Sequence, residues 1–191
     1  FICCISSCKK KPSPLENYDR ATLLKNIADS VVVPAYTDFN NASNALKAAA
    51  NDFTVLPNST NLNALKTAWN NTVAVWMRCE MFNFGYANAN SLNSQIGSTP
   101  ANFAVIEDEI HGTNTVDESY IAATGTTRKG LAAVEYLLYG NGISEQAVID
   151  SFTTSAFSAK RIQYLNALCA HTHTSTNAAY NDWNNGNSYT N

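Results

Sequence analysis

Hydrophobic residues recur every three or four positions over most of this chain, which is the period of an amphipathic α-helix. The first stripe predicts one long helix that Pro34 kinks or splits. A second stripe starts after the break at Pro57 and closes near Gly85. The first stripe comprises Leu24, Ile27, Val31, Ala35, Phe39, Ala42, Leu46, Ala49 and Phe53, and the second Leu62, Leu65, Trp69, Val73, Trp76 and Glu80.

The remainder of the chain is also helical in pattern, although residues 86–127 are less regular. No segment alternates with period two, which argues against β-strands. We therefore predict an all-α fold, an up-and-down bundle of long helices. Further helices are predicted at 103–110 (helical or mixed), 127–139, from Glu145 after a Ser144 cap, and 158–183, with turns at 97–100 and 112–114.

Composition narrows the classes of partner. A hydrophobic content of 45% supports a true core, and charged residues are only 14% of the chain, well below the usual quarter. The net charge is −3, and basic residues are dispersed apart from the run at 9–11, so we expect no nucleic-acid partner. No run of apolar residues is long enough to predict a membrane span.

The first eight residues resemble the end of a bacterial lipoprotein signal peptide, with small residues before Cys8, the expected lipidation site. This predicts a signal remnant at 1–8, a proline-containing tether at 9–16, a helical bundle domain at 17–185 and a loop at a truncated end, 186–191. A lipid anchor would make the membrane a partner and the cell envelope, periplasmic or surface, the location. The alternative is an ordinary N-terminus with chance cysteines.

The segment from Arg128 to Gly140 carries the most specific pattern in the chain. It resembles the signature of the imelysin-like family, Gly-x-His-x-x-Glu followed by an aromatic residue, two leucines and a glycine. The histidine position is Ala132 here, which is the one departure. The matching residues are Gly130, Glu135, Tyr136, Leu137, Leu138 and Gly140.

The resemblance extends over residues 20–185. One family block is matched in the second stripe and its flank, and the last helix matches another. Because the family usually has two related bundles, the resemblance implies that this chain is the N-terminal half of a longer protein. The matching residues are Trp69, Trp76, Glu80, Phe82, Phe84 and Gly85, then Arg161, Tyr164 and Leu165.

Glu80 and Glu135 are the candidate site residues, because each borders an apolar stripe where burial would require a partner or a metal. The resemblance implies that Glu135 and the residue at position 132 lie together in a metal or catalytic site. Ala132 supplies no ligand, so we expect at most a weakly bound divalent metal held by Glu80 and Glu135. Alternatively, Glu135 is satisfied by a tyrosine, a backbone group, Arg128 or Arg161.

Two other clusters could suggest a metal. We interpret the run from Glu107 to His111 as solvated surface, because short acidic runs usually are. We interpret Cys169, His171 and His173 as a buried cysteine with exposed histidines, because a helix would bring only one pair together. Cys79 and Cys169 are expected to stay unpaired core thiols.

No nucleophile elbow, zinc-peptidase motif or phosphate loop occurs, so no catalytic residue is predicted. Three functions remain, in this order: a surface-tethered imelysin-like binding lipoprotein in metal or iron handling, with a degenerate site; a non-catalytic structural or partner-binding helical module; and a metal-dependent peptidase. The first would contact a metal ligand or an envelope protein. The ligand, any residual peptidase activity and the oligomeric state are left open by the sequence.

Overall fold

A computed structural model describes residues 19–185. All of its regular secondary structure is helical, which confirms the all-α bundle. No strand occurs within these residues. In chain order the helices are α1 Arg20–Ile27, a π-helical segment Ala28–Val32, α2 Val33–Val55, α3 Ser59–Cys79, α4 Tyr86–Ala89, α5 Leu92–Ile96, α6 Phe103–His111, α7 Glu118–Ala123, a 3-10 turn Thr126–Arg128, α8 Leu131–Tyr139, α9 Glu145–Thr153 and α10 Ser158–Asn184.

Three long helices, α2, α3 and α10, form the frame of the bundle. A three-residue connection at 56–58 folds α3 back antiparallel along α2. The α10 helix also runs antiparallel to α2, because Tyr36 stacks on Trp183 at one end while Thr54 bonds Asn166 at the other. The short helices α8 and α9 pack against this frame in place of a fourth long helix.

Pro34 marks a change of helix type within the first long segment. The five residues before α2 form a π-helix, in which the Val33 amide donates to the Ala28 carbonyl five residues back. Proline lacks an amide hydrogen and its ring crowds the preceding turn. The wider π turn relieves this clash, so the helical segment continues through Pro34. The predicted disruption at Pro34 is thus a local change of helical pitch.

The π segment also shifts which face is buried. Leu24, Ile27 and Val31, predicted to face the core, are 63%, 43% and 48% exposed. Ala28 and Val32 are buried instead. Because a π turn holds more residues than an α turn, a stripe extrapolated backwards at α period from the well-placed residues of α2 falls out of phase. The predicted core face was wrong before the proline and correct at Phe39, Ala42, Leu46 and Phe53.

Helix α8 begins at Leu131, four residues later than predicted. Gly130 precedes it with φ +78°, in a region that side chains disfavour. A Cβ at this position would lie 2.5 Å from the Ile96 carbonyl oxygen, so only glycine lets the end of α5 touch the start of α8. The close approach ends the preceding turn and sets where α8 starts.

Several predictions lie outside the described residues. These are the signal remnant at 1–8 with Cys8, the tether at 9–16 and the loop at 186–191. Within residues 19–185, no helix combines the length and apolar character needed to cross a lipid bilayer.

Candidate functional site

Glu80 and Glu135 line the same cleft, although they are far apart in the sequence. Glu80 follows the last turn of α3, and Glu135 projects from the middle of α8. Ala132, one turn before Glu135, lies in the wall of the same cleft. The cavity measures about 320 Å³. The structure therefore brings together the three residues that the sequence singled out.

The spacing of residues in α3 explains its contribution to the cleft. Trp69, Val73, Trp76 and Glu80 are separated by three or four residues, so they share one side of the helix. The indole N–H of Trp69 donates to the Leu131 carbonyl at 2.9 Å and ties α3 to the first turn of α8. This bond fixes the separation of the two walls.

Trp76 forms the buried part of the cleft. It is 4% exposed, and its ring lies 5.1 Å from that of Phe39 in α2. The second stripe predicts that Trp69, Val73 and Trp76 face the core. Trp76 is buried as predicted, whereas Trp69 and Val73 are half-buried. A Cβ on Gly97 would approach the Trp76 indole nitrogen to 2.9 Å, which means that the α5 end packs directly on this ring.

Both carboxylates are exposed, which corrects the expectation of burial. The apolar stripes beside Glu80 and Glu135 line an open cleft, so water can solvate the two charges without a protein partner. In the part of the chain that the structure describes, neither group forms an ion pair. The proposed partners of Glu135, Arg128 and Arg161, bind other glutamates.

Those other glutamates belong to the run from Glu107 to His111, and they contradict its interpretation as solvated surface, whereas Asp108 and His111 are exposed as expected. Glu107 accepts two bonds from the Arg161 guanidinium, at 2.8 and 2.6 Å, and one from the Tyr136 hydroxyl at 2.7 Å. Burial, together with the bond to Glu107, raises the pKa of Tyr136 to about 12. The side chain of Glu107 is 25% exposed.

Glu109 makes a parallel set of contacts. The Arg128 guanidinium donates to it at 2.6 Å, and the Tyr120 hydroxyl also binds it. The two glutamates therefore join α6 to α7, α8 and α10. One feature of the sequence indicated these contacts. Glu107 and Glu109 lie between Ile106 and Ile110, which are fully buried, so both glutamates are attached to the helix at the edge of the core.

The histidines near Cys169 are also placed differently from the prediction. Cys169 is buried as expected, but His171 is only 6% exposed and His173 is half-buried. His171 bonds Gln95 at 3.1 Å, and His173 bonds Ser43 at 3.2 Å. The two rings reach different elements, and burial lowers the pKa of each. The α10 helix therefore contacts other helices on more than one side, here α5 through His171 and α2 through His173.

Few potential metal ligands lie close together in the described residues. Among residues 19–185, no three His, Cys, Asp or Glu side chains converge in a way that could hold a metal ion. Glu80 and Glu135 are the carboxylates in the cleft, and Ala132 contributes only a methyl group. The arrangement offers acidic oxygens for a cation and apolar contact for a ligand body, but no nucleophile paired with a general base.

A second cavity of about 270 Å³ shares Glu135, Ala132 and Thr99 with the first. Its walls include Phe103 and Tyr136, whose rings stack at 4.5 Å. The two cavities adjoin along α8 and are together called the groove; Glu135 lines both.

Comparison with known proteins gives a family match over residues 32–191, to the model described as Imelysin, peptidase M75. Iron-regulated protein A of Synechococcus elongatus is 26% identical over 116 residues, covering 61% of this chain and 31% of that protein.

Two solved structures share the fold. An imelysin-like protein from Psychrobacter arcticum has a TM-score of 0.70 and 22% identity, covering 87% of this chain and 50% of that one. A protein from Parabacteroides distasonis, assigned as an iron-regulated protein A precursor, has a TM-score of 0.69 and 23% identity, with coverages of 92% and 47%. The chain therefore spans about half the length of these structures and a third of the Synechococcus relative.

Proposed function

This chain belongs to the imelysin family, and from that premise we propose that it is a non-catalytic binding lipoprotein of the bacterial cell envelope that acts in iron handling. Its binding site is the cleft of Glu80, Ala132 and Glu135, a degenerate form of the family site. The observation that carries the proposal is the convergence of these residues from α3 and α8 in one cleft.

The iron association rests on the relatives. The Synechococcus relative is named for its regulation by iron, and the Parabacteroides structure for the same kind of protein. We extend that association to this chain. Deleting its gene should slow growth in iron-limited medium, and the wild-type gene should restore growth. A gene encoding Glu80→Gln and Glu135→Gln should restore it only partly, whereas full restoration would separate iron handling from this cleft.

Ligand counting argues for a degenerate site. A transition-metal site in a protein generally has three or four protein ligands, and this cleft presents two carboxylates. We expect weak Zn²⁺ and Fe²⁺ binding by calorimetry and no cleavage of unfolded protein substrates. Ala132→His should tighten Zn²⁺ binding, with Ala132→Asn as the control that adds bulk without imidazole. Submicromolar Zn²⁺ binding by the unmodified protein, lost in Glu135→Gln, would contradict the degenerate site.

Anchoring at Cys8 is the localisation part of the proposal. Its support is the lipoprotein-like sequence around Cys8 and the precursor designation of the Parabacteroides protein. Metabolic labelling with an alkyne fatty acid in the native host should mark the wild-type protein. Cys8→Ser should remove the label, whereas Cys79→Ser should leave it unchanged. A Cys8→Ser protein that still carries label would refute lipidation there.

A partner-binding module is the second candidate, and one observation favours it. Met77, which lines the cleft, and Met81, which follows Glu80 in the chain, are 65% and 73% exposed. Flexible methionine side chains can adapt to several apolar partners. If this surface binds a protein, Met77→Lys should weaken the interaction in a cross-linking experiment on intact cells, and Met81→Lys should do the same. The metal-dependent peptidase is the weakest candidate, because position 132 lacks the imidazole.

A further inference from the structure

The chemistry of the cleft indicates a more specific ligand than a bare metal ion. We propose that the groove along α8 binds a small organic cation, an amine with an apolar body, whose ammonium group lies between Glu80 and Glu135. The inference rests on the proposed function, because it assigns a ligand class to the same cleft.

The charges of the cleft call for a cation. Glu80 and Glu135 are its ionisable lining residues, and neither has an ion-pair partner within residues 19–185. The arginines nearest in the sequence to Glu135 are held by Glu107 and Glu109. A neutral ligand filling the cleft would strip water from two carboxylates and give nothing in return. A ligand ammonium group would replace that water with an ionic contact.

The apolar walls call for an organic ligand. Trp69, Val73, Trp76 and Leu131 line the cavity, and Ala132 adds a methyl group where an imidazole would have been polar. A hydrated metal ion would use only the carboxylates and leave this surface in contact with water. An amine with an alkyl or aromatic body would cover it, and indole rings are the best partners for a cation near an aromatic face.

A contact at Tyr139, which lines the second cavity, shows that an amine can lie on the ring of a groove residue; Lys66 itself lines neither cavity. The Lys66 ammonium group is 4.9 Å from the centre of the Tyr139 ring. Tyr139 lines the second cavity, and its ring contacts that of Trp69 edge-to-face at 5.7 Å. Lys66 also pairs with Glu145 at 3.5 Å, so its charge is already balanced. The carboxylates at 80 and 135 are free of such pairing and can take a second cation.

The size of the site agrees with a small ligand. The first cavity, about 320 Å³, falls at the lower end of the roughly 300–1,000 Å³ that is usual for small-molecule sites. The adjoining second cavity, with Phe103 and Tyr136, can receive the apolar end of a longer amine. Glu135 lines both cavities, so it should contribute whichever of the two the ligand body enters.

The test compares matched probes on the full protein. Phenethylamine is charged at pH 7, whereas 2-phenylethanol has the same body without the charge. Two of the chain's three tryptophans line the cleft, so intrinsic fluorescence should report binding directly. We expect phenethylamine to bind at least about tenfold more tightly than 2-phenylethanol, and the difference to shrink as salt rises from 20 to about 500 mM. Equal affinity for the two probes would overturn the inference.

Charge-removing variants locate the site. Glu135→Gln and Glu80→Gln should each weaken phenethylamine binding by roughly two- to fivefold, the range for exposed ionic contacts, and leave 2-phenylethanol unaffected. Asp108→Asn removes an equal charge from an exposed position of α6 outside both cavities and should change nothing. Phenethylamine affinity that is unchanged in the Glu80→Gln, Glu135→Gln double variant would refute this placement. Equal melting temperatures by circular dichroism verify that all variants fold.

Metal titrations in the same series separate this inference from the proposed function. Tight Zn²⁺ binding lost in Glu135→Gln would overturn both the degenerate site and the preference for an organic cation. Weak Zn²⁺ binding together with no preference for phenethylamine would overturn the organic cation alone. Weak Zn²⁺ binding with tight phenethylamine binding supports both.

Discussion

Replacing Gly130 with alanine should destabilise the protein and distort the cleft, because two separate effects act at this position. The backbone has φ +78° and ψ −170°, a region that is essentially restricted to glycine, and forcing a side chain into it costs about 1–3 kcal/mol. The added Cβ would also lie 2.5 Å from the Ile96 carbonyl oxygen and 2.8 Å from that of Gln95. Both neighbours are backbone atoms, so relief requires α5 and α8 to move apart.

Overpacking of this kind typically costs about 1–3 kcal/mol more. We therefore expect Gly130→Ala to lower the free energy of unfolding by about 2–6 kcal/mol, measured by urea denaturation followed by circular dichroism. Gly142→Ala is the control, because Gly142 also has φ +78° but a Cβ there would meet nothing within 4 Å. It should report the cost of a side chain at positive φ without a clash against backbone atoms.

The difference between the two variants measures the α5–α8 contact. If Gly130→Ala and Gly142→Ala destabilise the protein equally, within about 0.5 kcal/mol, then the contact with Ile96 does not constrain this region and the reasoning fails. A second readout follows from the cleft, since Ile96 and Leu131 both line it. Separating α5 from α8 should shift the tryptophan emission of folded Gly130→Ala to longer wavelength.

Three further predictions concern the core. Trp76→Ala should cost about 3–5 kcal/mol of unfolding free energy, whereas Met77→Ala, at an exposed position, should stay within about 0.5 kcal/mol; equal effects would contradict the burial of Trp76. Burial raises the pKa of Cys79 and of Cys169 to about 12, so peptide mapping should find both thiols alkylated by iodoacetamide only after unfolding. Burial lowers the pKa of His171, so the unfolded chain, titrating near pH 6.5, takes up a proton that the folded protein does not, and stability should fall as pH decreases from about 7 to 5. His171→Gln should reduce that pH dependence, and an unchanged slope would show that the ring is not the source.

Local sequence patterns predicted the start and end of several helices because the determining contacts lie within a few residues. The Ser144 hydroxyl accepts a hydrogen bond from the Ala147 amide, as the predicted cap of α9 requires. Helix α10 begins at Ser158, as expected. The middle of the first stripe was correct for the same reason, since α period is fixed by backbone hydrogen bonds. The prediction failed where a neighbouring element intervened, as at Gly130, or where the pitch changed, as before Pro34.

The pairing of charged residues could not be predicted from the sequence. Glu107 and Arg161 are 54 positions apart, and only the packing of α6 against α10 brings them together. A short acidic run on a surface looks the same in sequence as one at the edge of a core. The same limit explains why Arg128 was considered for Glu135, when it binds Glu109 instead.

The sequence alone determined the helical class, because the period of apolar residues is a local property, and it singled out Glu80, Ala132 and Glu135 as candidates through residue type and the resemblance to the family signature. It could not determine how deeply those residues lie. Whether Glu80 and Glu135 are buried depends on how far α3 and α8 stand apart, and that distance is fixed by Trp69, Gly97 and the glycine contact between α5 and α8. Solvation of a carboxylate is a property of the space around it, and that space exists only once distant parts of the chain have packed together.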